Sequence, residues 1–305
     1  MNKALLLVVS LFLHPHVDAA TNVDRIETEQ YTELRYSWPD KGITFQLSNQ
    51  NLQKFRGLRR FSPDLAKLHV RNQLVLKAAE LQQQGLRIRL SPANLPLEFQ
   101  IKGKDENAVQ SAMQLLEQTK QKAYNNYLQE GYFYLLKLPN RPAVVIPDHV
   151  KFLQLSLDEL KPVAKAFTDR YGRNNIRQIA NKLALWVQRI PYQDLSDRQE
   201  SAGSGYSPPL QLLYDHRGDC DSKAVLFAGV MKNIFPNSQF RIIYFRDHAV
   251  IAAQIPAVKD EQSLEIDGIK FLLIDATGPL ELPIGKLTEQ YQQAIDNRQF
   301  THRLL

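Results

Sequence analysis

A chain with one cysteine cannot cross-link itself, and Cys220 is the only cysteine among these 305 residues. It lies in Arg217-Gly218-Asp219-Cys220-Asp221-Ser222-Lys223. Ala224, Phe227, Ala228, Val230 and Met231 then recur at helical spacing up to Phe235-Pro236. The pattern starts a helix at or just before Cys220, with Gly218 allowing the tight turn and Asp219 as the best cap. The N-terminus makes the lone thiol more informative. Met1-Asn2-Lys3 is charged, Ala4 to Leu13 is apolar apart from Ser10, and Val17-Asp18-Ala19 offers small residues before a cleavage point. That is the anatomy of a secretory leader. Its apolar run is about half of the ~20 residues a membrane span needs, and no other stretch is longer. The sequence therefore predicts export to a periplasmic or extracellular space, in soluble form, after loss of residues 1–19. Cysteines in an oxidising compartment normally pair. A solitary one is buried and inert, waits for a partner chain, or is kept for its chemistry.

With 44% hydrophobic and 23% charged residues the composition is that of a globular chain. Residues 20–305 suffice for two domains. The net charge of +6 is uneven. Lys54, Arg56, Arg59, Arg60, Lys67, Arg71, Lys77, Arg87 and Arg89 stand against only Asp64 and Glu80. This basic stretch reads as a solvated helix face, with Leu65, Leu68, Leu74, Leu76 and Leu81 between the charges, or as a surface for an acidic partner. Nucleic acid is not an expected partner of an exported chain.

Along residues 20–150 the pattern predicts an α+β domain that binds or positions an unknown target. Gly42 to Leu47 alternates like a half-buried strand, and Leu65 to Gln84 reads as a helix ended by Gly85. Leu86–Leu90 and Leu97–Ile101 read as strands. A long helix from Ala108 to about Gln129 is capped by Asp105 or Asn107. The proline-punctuated stretch from Leu138 to Asp148 predicts a boundary. Residues 151–305 follow as a second domain. A helix over Ser156–Tyr171 opens with Ser156 and Glu159 in capping-box spacing, and another covers Ile176–Ile190. Asp194 to Pro209 reads as a mobile surface loop.

A thiol at a helix N-terminus faces unpaired N–H groups and the positive end of the macrodipole, which favour thiolate. Asp219 and Asp221 oppose it, so another cation is required, and an imidazolium suits best. Of the seven histidines, His14 and His16 leave with the leader. His248 sits between the β-favouring run Phe240–Phe245 and its continuation Ala249–Ala253. His216, four residues before Cys220, is the rival base in a polar loop, and His69, His149 and His302 have no such setting. The apolar run Ile269–Ile274 ends in Asp275, a carboxylate able to fix an imidazole tautomer. Taken alone, Asp275 also reads as the start of the turn before Gly278-Pro279.

Pro208-Pro209-Leu210-Gln211-Leu212-Leu213, Gly218-Asp219-Cys220-Asp221, Asp247-His248-Ala249 and Leu273-Ile274-Asp275-Ala276-Thr277 together resemble the core of the transglutaminase-like superfamily. The likeness is strongest to its bacterial cysteine-peptidase-like members and covers about Ser156 to Gly278. Leu185 to Tyr192 resembles the helix before the nucleophile loop in that family. The resemblance implies a papain-like α+β core, in which a Cys-bearing helix packs on an antiparallel sheet bearing His and Asp. It implies Cys220 as nucleophile, His248 as acid/base and Asp275 as orienting residue. The Cys220 N–H would serve the oxyanion, with Gln188 or Tyr192 as a side-chain donor or support.

One periplasmic subgroup of the superfamily is calcium-dependent and uses acidic residues beside its cysteine. Asp219 and Asp221 match that feature, whereas Ser222 stands where a further acid is expected, so calcium is left open. No other cofactor is expected. Three functions follow from these readings. One is hydrolysis of protein or peptide amide bonds, and another is transfer of the acyl group to an amine. The third is a non-catalytic binding or assembly module.

Overall fold

The computed structural model describes residues 23–40, 42–55, 58, 60–195 and 205–305. The expected leader lies outside these residues, as does much of the polar stretch after Asp194. Three antiparallel strands open the chain: β1 (Val23–Glu27), β2 (Tyr31–Tyr36) and β3 (Ile43–Ser48). β3 alternates buried and exposed residues along its whole length, as the Gly42–Leu47 pattern predicts. A short helical turn, α1 (Asn49–Leu52), then leads into α2 (Pro63–Gln82), the hairpin β4 (Arg87–Leu90) and β5 (Phe99–Lys102), and α3 (Glu106–Glu130). Ser62 caps α2 by accepting the Leu65 N–H, with Pro63 in the first turn, and Asp105 caps α3. The buried face of α2 is Ala66, Val70, Leu74, Ala78 and Leu81. Leu65, Leu68 and Leu76 point to solvent instead.

The hydrophobic cores divide elsewhere than at the expected boundary. Val70, Leu74, Leu81, Leu86, Ile88, Leu116 and Ala123 form a cluster of their own. Leu34, Tyr36, Ile43, Phe45 and Leu47 instead join one cluster with the C-terminal half. A separate α+β unit thus covers roughly 63–130 and is inserted between β3 and the hairpin β6 (Phe133–Leu136) and β7 (Val144–Pro147). The reason is one-sided burial. The apolar face of β3 finds no cover within its own small sheet, so Phe45 packs against the Trp186 ring at 6.3 Å.

Helices α4 (His149–Ser156), α5 (Lys161–Tyr171), α6 (Ile176–Arg189), α7 (Pro209–Asp215) and α8 (Cys220–Ile234) follow, then β8 (Phe240–Tyr244), β9 (Ala249–Ala253), β10 (Ser263–Ile266), β11 (Ile269–Ile274), α9 (Glu289–Asp296) and β12 (Thr301–Leu304). The single helix expected over Ser156–Tyr171 is in fact broken. Asp148 caps α4, Ser156 ends it fully buried, and Pro162 restarts the chain in the first turn of α5. Glu159 pairs with Lys54 at 2.7 Å rather than closing a capping box.

The five-stranded sheet is antiparallel, ordered β10-β11-β9-β8-β12, and the architecture is mixed α+β. α8 packs against β8 and β9, and every residue from Ser222 to Met231 is buried. A helix apolar on all sides belongs in the interior. Among the described residues, no helix is long and apolar enough to cross a membrane.

Candidate active site

Cys220 is the first residue of α8, and Asp219 caps the helix by accepting the Ser222 N–H at 3.3 Å. Gly218 has to lie close under its neighbours. Its N–H donates to Pro191 and its carbonyl accepts the Gln193 N–H, which ties the cysteine loop to the segment leaving α6. A Cβ there would run into the Leu212 side chain. His248 ends the turn joining β8 and β9, closed by the Phe245 N–H donating to the His248 carbonyl at 2.9 Å. Asp275 directly follows β11, the neighbour of β9 in the sheet.

This topology brings His248 and Asp275 together. His248 Nε2 lies 2.9 Å from Asp275 Oδ2, and the other oxygen, Oδ1, accepts the Thr277 N–H at 2.9 Å. Burial works to raise the Asp275 carboxyl, but the His248 and Thr277 hydrogen bonds outweigh it and hold the group below its usual value. With Nε2 engaged, Nδ1 is the nitrogen left to exchange a proton. The Ala249 and Asp221 N–H groups near the Cys220 sulfur favour its thiolate, which places the thiol by the strand that starts just after His248. The Tyr291 ring stacks on the imidazole with centroids 4.4 Å apart.

Electrostatics at the thiol run against the helix-dipole expectation. Burial, then Asp221 and Asp219, push the Cys220 thiol well up, and the two backbone donors offset only part of this. Behind the cysteine lies a buried polar network. Asp221 Oδ1 accepts the Ser222 N–H at 2.8 Å, while Oδ2 lies 2.8 Å from Nε2 of His149, whose Nδ1 meets the Tyr244 hydroxyl at 2.8 Å. Burial holds the His149 imidazole down to about 3. Burial pushes both the Asp219 and Asp221 carboxyls up; the Asp221 charge adds to the rise at Asp219, whereas the hydrogen bond with Asp219 works against it at Asp221. Among the described residues, no group of three or more His, Cys, Asp or Glu is placed to hold a metal ion.

Gln188 is not an oxyanion donor. It is buried in α6, and its Nε2 donates to the backbone carbonyls of Asp275 and Leu282 at 2.6 and 2.9 Å. Its role is support of the Asp275 turn. Gly278 belongs to the same contact: at φ +68, a Cβ there would collide with the Gln188 carbonyl. Tyr192 is 51% exposed. Burial of its hydroxyl, then the nearby Cys220 and Asp219 charges, push the phenol up to about 12. His216 ends α7 in a left-handed conformation and packs its ring edge-on against Tyr36. The end of the supposed mobile loop is packed in the interior too, with Tyr206 and Ser207 both buried.

Sequence reasoning missed Lys223, Tyr291 and the buried setting of His149. Lys223 lies fully buried one turn after Cys220, its Nζ donating to the Ile190 and Thr277 carbonyls. Burial lowers it to about 7. A lysine inside an otherwise apolar helix was a visible signal. Tyr291 and His149 left none, since their neighbours lie far away in the chain. Comparisons with protein-family models, curated proteins and solved structures return no match.

Proposed function

We propose that this chain is a thiol enzyme with a papain-like, transglutaminase-like core, acting on protein or peptide amide bonds. The carrying observation is the 2.9 Å contact between His248 and Asp275, with Cys220 opening the helix that packs against β9 next to His248. In the proposed reaction the thiol proton passes to His248 Nδ1 as sulfur bonds the carbonyl carbon. The carbonyl electron pair moves onto oxygen. The Cys220 N–H, in the first turn where helix N–H groups lack intrahelical acceptors, and the protonated Tyr192 hydroxyl receive that charge. Collapse expels the amine, which takes the proton from Nδ1 and leaves a thioester. Water then gives a proton to Nδ1 and attacks the thioester, releasing the acid and restoring the thiol. Asp275 keeps the imidazole oriented and stabilises its cationic form throughout.

The test is incubation with a glutamine-rich protein in the presence of a labelled amine. New fragments, lost in Cys220→Ala and His248→Ala, support hydrolysis. Amine incorporation without fragments replaces water by amine as the acceptor. One observation favours a non-catalytic module: the thiol is pushed up rather than down. That reading requires Cys220 to react with iodoacetamide at neutral pH no faster than a free thiol, with His248→Ala changing nothing.

A further inference from the structure

Beside His248 opens a cavity of about 520 Å³ that the reaction scheme leaves unused. It is built by three segments distant in sequence: the β6–β7 loop, the β8–β9 turn, and α9 with its link to β12. Each supplies one guanidinium, from Arg141, Arg246 and Arg298 respectively, against a single carboxylate, Asp247. Four other arginines of this half form salt bridges, Arg177 with Glu261, Arg189 with Glu281, Arg241 with Asp267 and Arg303 with Asp148. Among the described residues no carboxylate pairs with any of the three lining the cavity. Arg298 also holds φ +53, a backbone position that glycine or asparagine occupies with less strain.

Three like charges gathered at a concave surface repel one another unless an anion lies between them. Guanidinium forks match carboxylates bidentately. The size suits one or two side chains, since ligand cavities run from about 300 to 1,000 Å³. Phe245 and Tyr291 form an apolar wall, stacked at 4.9 Å, and the same Tyr291 ring covers the His248 imidazole. A group bound here therefore lies one aromatic ring away from the reacting centre. Asp247 disfavours a multiply charged phosphate cluster but tolerates single carboxylates.

We propose that this cavity is a specificity subsite for acidic side chains, selecting peptides with Glu or Asp near the bond to be attacked. The proposal rests on the thiol-enzyme reading for the identity of that bond, but its test does not need turnover. Cys220→Ala protein is titrated into a fluorescein-labelled, C-terminally amidated hexapeptide with alternating glutamates, and into its glutamine counterpart, with fluorescence anisotropy as readout. The acidic peptide is expected to bind about ten-fold tighter or more, with a preference that shrinks as salt rises. Adding Arg141→Gln and Arg298→Gln should bring it to the glutamine level. Arg298→Lys should fall between, keeping charge but losing the fork. Equal binding of the two peptides, or a preference that survives the double substitution, overturns the subsite. Binding that persists while the unaltered chain neither cleaves nor transfers would sink the enzyme reading alone. Turnover without charge preference would sink the subsite alone.

Discussion

The Gln188 side-chain amide and the Asp275 backbone carbonyl form a buried hydrogen bond of 2.6 Å, and the same amide reaches the Leu282 carbonyl at 2.9 Å. One glutamine of α6 thereby clamps both ends of the turn that carries the proposed orienting carboxylate. Gln188→Leu keeps the volume and leaves one buried and one half-buried carbonyl without this donor. The expected loss is about 1–3 kcal/mol in urea unfolding, with turnover falling as the Asp275 turn loosens. Gln188→Glu should not rescue it, because a carboxylate brings no N–H. An unchanged unfolding midpoint with a lowered kcat would return Gln188 to the oxyanion role.

Tyr291 positions His248 by stacking on it, with ring planes 20° apart. The ring should matter more than the hydroxyl. Tyr291→Ala is expected to lower kcat about five-fold by releasing the imidazole, an aromatic contact being worth about 1 kcal/mol. Tyr291→Phe should restore most of that loss. Steady-state kinetics of both variants on one peptide, with kcat and KM separated, make the check. Equal defects in the two variants would put the effect on the hydroxyl instead.

Local signals carried much of this arrangement. The helix start at Cys220, the Asp219 cap, and the strand runs either side of His248 and before Asp275 could all be read from the sequence, because caps and apolar periods act over a few residues. Signals that depend on distant neighbours could not be read. The aromatic face of β2 and β3 was assigned to a separate domain since nothing local reveals Trp186 as its cover. Ser156 looked like a cap because it precedes Glu159 by three residues, yet Pro162 and the burial of α4 decide otherwise. Gln188 looked like a free amide until the turn after β11 folded onto it. The thiol illustrates the same limit. Helix position argued for thiolate and the adjacent Asp219 and Asp221 against it, while the burial that decides the balance is known only from packing.

Those two carboxylates yield a prediction about reactivity. Asp221 raises the Cys220 thiol more than Asp219 does, so removing Asp219 alone leaves the larger contribution in place. Asp219→Asn, which still caps the helix, should barely alter the iodoacetamide rate at pH 7. Asp219→Asn with Asp221→Asn removes the remaining charge, favours thiolate, and should raise that rate several-fold to about ten-fold. The curve of rate against pH should shift to lower pH, with folding checked by circular dichroism. A double variant slower than the parent would mean that the acids assist the thiol.

His149 makes acid stability the second electrostatic test. Its folded value is held down to about 3, chiefly by burial, against about 6.5 in an unfolded chain. Between those values the unfolded state binds a proton that the folded state refuses, so this imidazole costs stability as pH falls through about 6.5. The slope is about 1.4 kcal/mol per pH unit. Asp219 and Asp221 face the same pocket with raised values and act in the opposite sense, gaining protons on the folded side first. Tyr206 and Tyr244, their phenols pushed up chiefly by burial, face the same pocket, as do the side chains of Arg303 and Asp148. Comparison with His149→Gln isolates the imidazole, because glutamine can still donate to Asp221 but takes up no proton. Urea unfolding from pH 7 to pH 4 should show the parent losing stability relative to the variant at every step below pH 6. Parallel pH curves would mean that His149 is already charged in the fold and paired with Asp221 as an ion pair.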